Sequence, residues 1–352
     1  MKLLLITVRS DFGGGPRHVD QLIRELSEKY EIFLAYPQDG DPYSKLWDEI
    51  IPAERRIYIP FRKFSIPALL SLYKFIKNNQ IDIVHSHGNG AGFYSRFLKI
   101  LGTKAKIVHT FHGITNNYSS KIKLWLNTLA GFLFHFFTNK FILVSNGEFN
   151  LAQKMHFLDS RKSKIIYNGI DDPNRKAISS KFKVVTLSRF DYSKNMDLAF
   201  QIARTLKNEN MEFVWVGNGE DWERLKKQSE EENLNITFTG FSDHPLDYLA
   251  ASTVYLSTSR FEGLPYALIE AASIGLPIVA TNVVGNNEVV ENNKNGFLFN
   301  TADEACTHLK NLLNDKDLTS RMSNESFAIF NKKFTTQQMI SSLCSVYQDL
   351  MK

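Results

Sequence analysis

The sequence predicts an α/β protein made of two parallel-sheet domains. Short apolar runs alternate with amphipathic stretches in both halves of the chain, a pattern typical of parallel strands covered by helices. The 352 residues are enough for two domains, each with its own core. Segment 168–180, which contains Gly, Pro, Asp and Ser, predicts a linker. We therefore expect one domain over 1–170, a second over 171–334, and a terminal helix over 335–352.

The predicted elements follow in chain order. In the first half the strands are expected at 2–8, 31–35, 81–85, 106–110, 141–144 and 164–167, and the clearest helices at 17–29, 66–78 and 94–101. In the second half the strands are expected at 183–187, 212–216, 235–238, 253–256, 277–280 and 296–299, and the helices at 195–206, 221–232, 244–250 and 265–274. Only a helical pattern follows residue 299. Open α/β sheets bind ligands at the carboxyl ends of their strands, so we expect a site where two such sheets face each other across a cleft.

Composition excludes several classes of protein. With 43% hydrophobic residues, the chain is not intrinsically disordered. Cys306 and Cys344 are too few for a disulfide framework and lack zinc-site spacing, so we expect reduced thiols in a cytoplasmic protein. The apolar run at the start of the sequence is shorter than the core of a signal peptide, so none is expected. Run 124–137 falls short of the ~20 apolar residues of a membrane span, and predicts a buried helix or one lying against a membrane surface.

Charge is divided unequally along the chain. Residues 1–170 contain 23 basic and 13 acidic side chains, whereas 171–352 contain 19 basic and 24 acidic ones. A basic half indicates an anionic partner, either lipid head groups or a phosphate-bearing acceptor. Nucleic acid fits less well, because no nucleic-acid-binding motif is recognised. Some of these basic residues form either a docking surface on an anionic inner membrane or a solvated face. The residues concerned, near Trp125 and Phe132, are Arg55, Arg56, Arg62, Lys63, Lys121 and Lys123.

A glycine-rich loop follows the first predicted strand. Gly13, Gly14 and Gly15 precede a predicted helix, where free backbone N–H groups attract anions and glycine lets a ligand approach closely. Residue 18 is histidine where the dinucleotide fingerprint requires glycine. A phosphate-contacting loop and a plain tight turn therefore both stay open.

Four histidines lie near two neighbouring strand ends. They are His85, His87, His109 and His112. No Asp, Glu or Cys lies nearby in sequence to complete a metal site, so none is predicted. His85 and His109 are expected to be structural. His112 lies in a Gly-flanked loop, where its imidazole is expected to donate to a sugar hydroxyl or a carbonyl.

Two cations follow the first strand of the second half. Arg189 and Lys194 suit a diphosphate, because guanidinium matches phosphate geometry and ammonium acts as a mobile point charge. The alternative is a pair of solvated surface cations. Gly217 and Gly219 end the next strand and resemble a turn that contacts a base or ribose.

The most specific segment is 259–270. Glu262 is predicted in a loop, Glu270 lies inside the helix that follows, and Gly263 and Leu264 offer backbone N–H groups at the helix start. Two carboxylates at this spacing serve either as an acid/base pair or as acceptors for sugar and ribose hydroxyls. Because they flank a phosphate-type helix start, we favour the second role.

The order and spacing of these motifs resemble the retaining GT-B glycosyltransferases of the large GT4 family. The resemblance extends over nearly the whole chain and includes the E-x7-E spacing of Glu262 and Glu270, segment 166–171, and Gly285 before Glu288. It implies two Rossmann-like domains, with a nucleotide-sugar donor on the C-terminal one and the acceptor on the N-terminal one. It also implies that the last helix crosses back to brace the first domain.

The resemblance further implies roles for individual residues. Arg189 and Lys194 would hold the diphosphate, with the helix start near Leu264, in place of a divalent metal. The other donor-side candidates are Gly14, Gly15 and His112 from the N-terminal domain, and Gly217, Gly219, Phe241, Glu262, Gly263, Leu264 and Glu270 from the C-terminal one. Arg17 and His18 depart from the family's usual loop and, with His87, are the acceptor-side candidates.

The expected reaction transfers a hexosyl or N-acetylhexosamine unit to a glycan or polyprenyl-linked acceptor in cell-surface polysaccharide synthesis. UDP is the expected nucleotide, with GDP as the alternative. The expected location is cytoplasmic, with peripheral contact to the inner membrane left open. The alternative functions are a nucleotide-sugar epimerase and a non-catalytic nucleotide-sugar-binding protein.

Overall fold

The computed structural model describes residues 1–114, 135–155 and 158–352, which divide into two compact units. The first unit comprises 1–167 together with 339–352, and the second comprises 168–338. The chain thus passes from the first unit to the second and returns at its C-terminus. No helix within the described ranges combines the length and apolar character needed to cross a membrane. Most of run 124–137, with Lys121, Lys123, Trp125 and Phe132, lies outside the described residues.

The first unit contains a seven-stranded parallel sheet in the order β3-β2-β1-β4-β5-β6-β7. Its strands are β1 (Lys2–Thr7), β2 (Glu31–Tyr36), β3 (Arg56–Tyr58), β4 (Ile83–His87), β5 (Lys106–Thr110), β6 (Lys140–Leu143) and β7 (Ser163–Ile165). Its described helices in the N-terminal part are α1 (Gly14–Leu26), α2 (Tyr43–Ile50), α3 (Ile66–Asn79), α4 (Gly88–Ile100) and α5 (Asn146–Lys154), numbered among described helices only. The predicted parallel-sheet architecture is confirmed for this half. Strand β3 and helices α2 and α5 were not predicted.

The apolar run of β1 supplies both faces of this sheet. Leu3 and Leu5 belong to the core on one face, whereas Leu4 and Ile6 belong to the core on the other. Side chains alternate across a strand, so a continuously apolar strand signals helices on both sides.

The C-terminal helix completes the first of these cores. This helix is α13 (Thr336–Met351), the last of the described helices, and its apolar residues recur every three or four positions. Five of them are buried: Met339, Ile340, Leu343, Val346 and Tyr347. The Tyr347 hydroxyl lies 2.6 Å from His85 Nδ1, and His85 Nε2 lies 2.7 Å from Thr110 Oγ1. His85 therefore ties the sheet to α13.

Tyr347→Phe is expected to loosen this helix. The substitution leaves a ring nitrogen of fully buried His85 without its partner, which costs about 1–3 kcal/mol. Amide hydrogen exchange of α13 should then accelerate by roughly 5- to 150-fold, since each 1.4 kcal/mol is tenfold in an opening equilibrium. Tyr73→Phe, at a partly buried position on α3, is the control. Equal protection of α13 in all three proteins would refute the role of the bond.

The second unit contains a six-stranded parallel sheet in the order β10-β9-β8-β11-β12-β13. Its strands are β8 (Lys183–Leu187), β9 (Glu212–Val216), β10 (Ile236–Gly240), β11 (Val254–Ser257), β12 (Ile278–Thr281) and β13 (Gly296–Phe299). Its helices are α6 (Met196–Thr205), α7 (Trp222–Glu231), α8 (Pro245–Ala250), α9 (Tyr266–Ser273), α10 (Asn286–Val289), α11 (Ala302–Asn314) and α12 (Lys316–Lys333). All six strands were predicted within a few residues, and the second parallel-sheet domain is confirmed.

Candidate active site

The loops at the carboxyl ends of β8, β9 and β10 are joined by backbone hydrogen bonds. Phe190 N–H donates to the Asn218 carbonyl at 3.0 Å, and Gly217 N–H donates to the Gly240 carbonyl at 2.8 Å. The Phe190 ring is fully buried below them. The loop that carries Arg189 is therefore fixed by its neighbours before any ligand arrives.

Gly217 and Gly219 have a packing reason to be glycine. A methyl group on Gly217 would lie 1.8 Å from the Ser188 carbonyl oxygen, and one on Gly219 would lie 2.4 Å from that of Phe190. Gly217 also has φ of +133°. These steric contacts alone explain why both positions are glycine, so the predicted role of Gly217 and Gly219 in donor binding stays a prediction.

Gly217→Ala is expected to displace the loop that carries Arg189. The added methyl cannot coexist with the Ser188 carbonyl, and such overpacking typically costs about 1–3 kcal/mol or more. Gly240→Ala is the matched control, since φ is also positive there but the space is open. Thermal unfolding should show a clearly lower Tm for Gly217→Ala than for Gly240→Ala. Equal melting of the two variants would contradict the steric argument.

Lys194 and Glu262 form an ion pair in the second unit. Lys194 Nζ lies 2.5 Å from Glu262 Oε1, and Ser259 Oγ donates to the same oxygen at 2.7 Å. Only 22% of the lysine side chain and 13% of the glutamate side chain are exposed. Both line a small pocket with Thr186 and Ser257 at the strand ends. A shielded ammonium at this edge of the sheet is suited to bind an anion, and the carboxylate to accept hydroxyl groups.

Arg189 is more exposed than Lys194. Half of its side chain reaches solvent, and its guanidinium lies 3.0 Å from Asp191 Oδ2. Asp191 also accepts from Ser193 N–H at 3.0 Å, which shapes the turn before α6. Arg189 therefore starts from an ion pair with a carboxylate, and an incoming phosphate would have to compete with Asp191 for it.

The loop before α9 is tightly supported. Buried Asn168 donates from its amide to the Leu264 carbonyl at 3.0 Å. A methyl group on Gly285 would lie 2.8 Å from the Gly263 carbonyl, so the loop before α10 abuts this one. Glu270 is buried one turn inside α9. The helix begins at Tyr266, after Pro265 as its N-cap, one residue later than predicted.

The other predicted donor-side residue of this unit lies at the end of β10. Phe241 follows Gly240 and exposes about half of its ring to solvent. An exposed aromatic ring at a strand end offers a stacking face, and its predicted role toward a base stays a prediction.

In the first unit, three histidines meet at the strand ends. The ring centroid of His18, on α1, lies 4.9 Å from that of His112 and 5.5 Å from that of His87. His87 Nδ1 lies 3.2 Å from His112 Nε2. Burial lowers the pKa of His87 well below its usual range, and burial with the nearby charge of Arg9 lowers that of His112 to about 4. Both imidazoles are therefore neutral at pH 7.

The other two histidines of the motifs differ from this group. His85 uses both ring nitrogens within the fold, as described above, and burial lowers its pKa to about 3. His109 Nδ1 lies 2.9 Å from Ser86 Oγ in a fully buried position. Their contacts suit the structural role expected for them.

The glycine loop leads directly into α1. The helix begins at Gly14, three residues earlier than predicted, so Gly14, Gly15 and Arg17 belong to its first turn. A methyl group on Gly15 would lie 3.9 Å from His112 Cδ2, which places this glycine beside the histidine group. The predicted helix start was wrong because consecutive glycines indicate a loop, whereas Gly14 and Gly15 here lie within the helix.

Sequence reasoning missed two charged groups near His112. Arg9 forms a two-bond ion pair with Asp11, at 2.7 and 3.0 Å. Glu148 is completely buried and accepts N–H bonds from Gly113 at 2.7 Å, Ile114 at 3.0 Å and Val144 at 2.9 Å. Burial raises the pKa of Glu148 to about 7 against the opposing effect of these bonds. The Ser145-x-x-Glu148 spacing, a helix-start signature, was the available signal.

Two Asp-x-Asp sequences, the usual metal-binding motif of other transferase folds, occur in the chain. Asp41, of the first, pairs with Lys45 at 2.7 Å in the first unit. Asp315, of the second, caps α12 by accepting from Leu318 N–H at 2.8 Å. Neither pair belongs to the strand-end loops around Lys194.

Three of the basic residues named above are paired with acids. Arg55 lies 3.3 Å from Glu31, Arg56 lies 3.1 Å from Asp48, and Arg62 lies 2.9 Å from Asp11. These contacts neutralise part of the positive charge that the composition of this half indicates.

The chain is similar to known glycosyltransferases in sequence and in fold. It is 28% identical to an Escherichia coli UDP-Gal:alpha-D-GlcNAc-diphosphoundecaprenol alpha-1,3-galactosyltransferase, over 92% of this chain and 90% of the relative. It is 29% identical to the capsular polysaccharide biosynthesis glycosyltransferase CapH of Staphylococcus aureus, over 96% and 97%. The structure of Anabaena HepE in complex with UDP and glucose superposes with a TM-score of 0.85 at 18% identity, covering 99% of each chain.

Each half of the chain matches a known protein family. Residues 12–173 match Glycosyltransferase Family 4, and residues 170–328 match Glycosyl transferases group 1. Both families are transferases, which confirms the predicted enzyme class against the epimerase and the non-catalytic binding protein. The chain belongs to the glycosyltransferases that join a family 4 N-terminal part to a group 1 C-terminal part, the GT4 type with a GT-B fold.

Proposed function

We propose that this glycosyltransferase moves a hexosyl or N-acetylhexosamine unit from a UDP-sugar to a hydroxyl group of a lipid-linked saccharide, with retention of configuration. The observation that carries the proposal is the shielded Lys194–Glu262 pair at the strand ends of the group 1 unit. The donor and acceptor classes are supported by the Escherichia coli relative, whose name includes UDP-Gal and a diphosphoundecaprenol acceptor.

Lys194 has the chemistry that departure of the diphosphate requires. When the sugar–phosphate bond breaks, negative charge grows on the leaving UDP, and a preorganised ammonium stabilises it. Arg189 assists once it exchanges Asp191 for phosphate, and the Gly263–Leu264 backbone offers further N–H donors. Glu262 and Glu270 accept hydroxyl groups of the sugar and the ribose, respectively. These fixed charges take the place of a divalent metal in the proposed reaction.

In the first unit we propose that neutral His112 contacts a sugar hydroxyl. The acceptor hydroxyl attacks the anomeric carbon on the face that UDP leaves, and the departing phosphate oxygen takes its proton. No charged imidazole is needed, in keeping with the lowered pKa of His112. Arg17, His18 and His87 remain the acceptor-side candidates.

A donor and acceptor panel tests the proposal. UDP- and GDP-sugars are incubated with the protein, with and without a polyprenyl-diphosphate-linked N-acetylhexosamine, and the anomeric configuration of the product is read by NMR. We expect transfer from a UDP-sugar, an α-linked product from an α-linked donor, and an unchanged rate after chelator treatment. Conversion of the donor sugar without acceptor would contradict the proposed transfer to an acceptor hydroxyl. A rate restored only by Mg²⁺ or Mn²⁺ would refute metal independence.

We also propose that the first unit docks on an anionic membrane surface to reach its acceptor. At the start of α3, Phe64, Ile66 and Leu70 expose 44%, 64% and 48% of their surface beside Arg62 and Lys63. Apolar side chains flanked by cations suit a membrane interface. Sedimentation with anionic vesicles should weaken in Ile66→Ser/Leu70→Ser but not in Ile178→Ser, an exposed position of the second unit. Equal sedimentation of all three proteins would refute this surface.

A further inference from the structure

We propose that His18, His87 and His112 form a binding site for a nitrogen-preferring divalent metal ion such as Zn²⁺ or Co²⁺, occupied in competition with substrate. The three side chains come from three elements: helix α1, the last residue of β4, and the loop after β5. Each offers one imidazole nitrogen, and these nitrogens all lie within 4.8 Å of one another.

The spacing of two ligands already matches a tetrahedral centre. Zinc–nitrogen bonds of about 2.0–2.1 Å place two tetrahedral ligands roughly 3.3 Å apart. His87 Nδ1 and His112 Nε2 lie 3.2 Å apart. The third nitrogen has to approach by at most about 1.5 Å, a movement within reach of side-chain rotation. The site therefore requires little rearrangement of the backbone.

One proton has to move when the metal binds. A single N–H joins His87 Nδ1 to His112 Nε2 in the metal-free protein, because one nitrogen must donate to the other. The donor ring shifts that proton to its other nitrogen, so that both lone pairs face the ion and the total number of protons is unchanged. His87 Nε2, buried without a hydrogen-bond partner among the described residues, leaves that ring free to use either tautomer.

The charge around the site does not exclude a dication. Arg9 lies near His112, and both oxygens of Asp11, which also pairs with Arg62, hold its guanidinium. Three neutral imidazoles leave a fourth coordination position open to water or to a ligand oxygen. Imidazole nitrogen favours Zn²⁺, Co²⁺, Ni²⁺ and Cu²⁺ over Mg²⁺ and Mn²⁺, so the site is distinct from any metal requirement of sugar transfer.

Binding at this site should inhibit transfer, a consequence that rests on the proposed role of His112. The ion binds the His112 imidazole that would contact the sugar hydroxyl and so fixes its orientation. Micromolar Zn²⁺ is then expected to inhibit reversibly, whereas millimolar Mg²⁺ is not, because magnesium prefers oxygen ligands. Chelator restores the rate.

The test measures metal binding directly in the tag-free chain. Co²⁺ is titrated while the visible absorption of four-coordinate cobalt is recorded, followed by displacement with Zn²⁺. We expect one ion per chain and a Kd that rises at least about 100-fold in His18→Gln and in His112→Gln, since even outer partners of metal ligands alter affinity 10- to 100-fold. His244→Gln and His308→Gln, from the second unit, are the controls, and circular dichroism verifies folding of each variant.

Each outcome decides the proposal. Loss of the cobalt spectrum in the two site variants but not in the controls establishes the site. Absence of a spectrum in the unmodified chain, or equal affinity in all variants, overturns it. Cobalt that binds at the site without slowing transfer overturns the competition with substrate, and with it the contact proposed between His112 and the sugar, while the metal site itself stands.

Discussion

Lys194→Ala is expected to lower kcat by about 100-fold or more, the usual effect of removing one preorganised charge from a developing anion. The substitution acts in two ways. It removes the ammonium that stabilises the leaving diphosphate, and it leaves the Glu262 carboxylate, 13% exposed, without its cation. The unpaired carboxylate then repels the diphosphate, so donor binding should weaken as well.

A double-mutant cycle separates the two effects. Lys194→Ala/Glu262→Gln should recover part of the donor affinity lost in Lys194→Ala, because the repelling charge is gone, whereas kcat stays low. Donor Kd is measured by calorimetry and kcat by product formation at saturating donor. Lys227→Ala, which changes net charge equally at an exposed position on α7, is the control. A Lys194→Ala enzyme with unchanged kcat would remove this lysine from the mechanism.

The strands could be predicted because parallel strands buried on both faces are continuously apolar. Helix α4 was predicted to begin at residue 94 but begins at Gly88, since its glycines indicate a loop. Tertiary packing explains them: a methyl group on Gly90 would lie 2.6 Å from Val8, and one on Gly92 would lie 2.2 Å from Arg96. Close contact with neighbouring side chains outweighs the low helix propensity of glycine here. Strand β3 has three residues, none of them buried, which is too short a pattern to detect.

The candidate site was predictable where its residues follow the carboxyl ends of strands. Lys194 and Glu262 lie 68 positions apart, yet each stands at a strand end, and parallel strands bring such ends to one edge. His18 could be named as a candidate, but its approach to His112 depends on how α1 packs over the sheet. Glu148 accepts hydrogen bonds from N–H groups 34 and 35 positions earlier in the chain, and no local sequence pattern predicts such distant contacts.

Replacement of Glu148 is expected to destabilise the first unit in a pH-dependent manner. Glu148→Ala removes the acceptor of three buried N–H groups, each costing about 1–3 kcal/mol when unsatisfied. Glu148→Gln is the informative variant, because one amide oxygen can still serve Gly113 and Ile114 while its NH2 group faces Val144 N–H. The glutamine side chain has the same shape as glutamate but does not ionise.

The sign of the pH effect follows from the raised pKa of Glu148. The carboxyl group ionises near pH 4.5 in the unfolded chain and only near pH 7 in the folded one. Its stabilising contribution is therefore complete below pH 4.5 and is lost as pH rises to about 7, a change of roughly 3 kcal/mol. The difference in Tm between the unmodified protein and Glu148→Gln should be large at pH 5 and smaller at pH 8. A difference independent of pH would show that Glu148 titrates alike in both states.

Glu148→Ala tests whether Glu148 acts on catalysis through His112. The Glu148 carboxylate holds the N–H groups of the two residues that follow His112, so loss of those bonds in Glu148→Ala should displace the imidazole and lower kcat by about tenfold, since misplacement of roughly 1 Å is enough to cost far more. In a His112→Ala background, Glu148→Ala should then lower kcat no further, because the group that it positions is absent. Additive losses in the double variant would mean that Glu148 maintains the unit as a whole and has no specific effect on His112. The two outcomes differ by a factor of ten in kcat, which the transfer assay resolves even when both proteins are less stable.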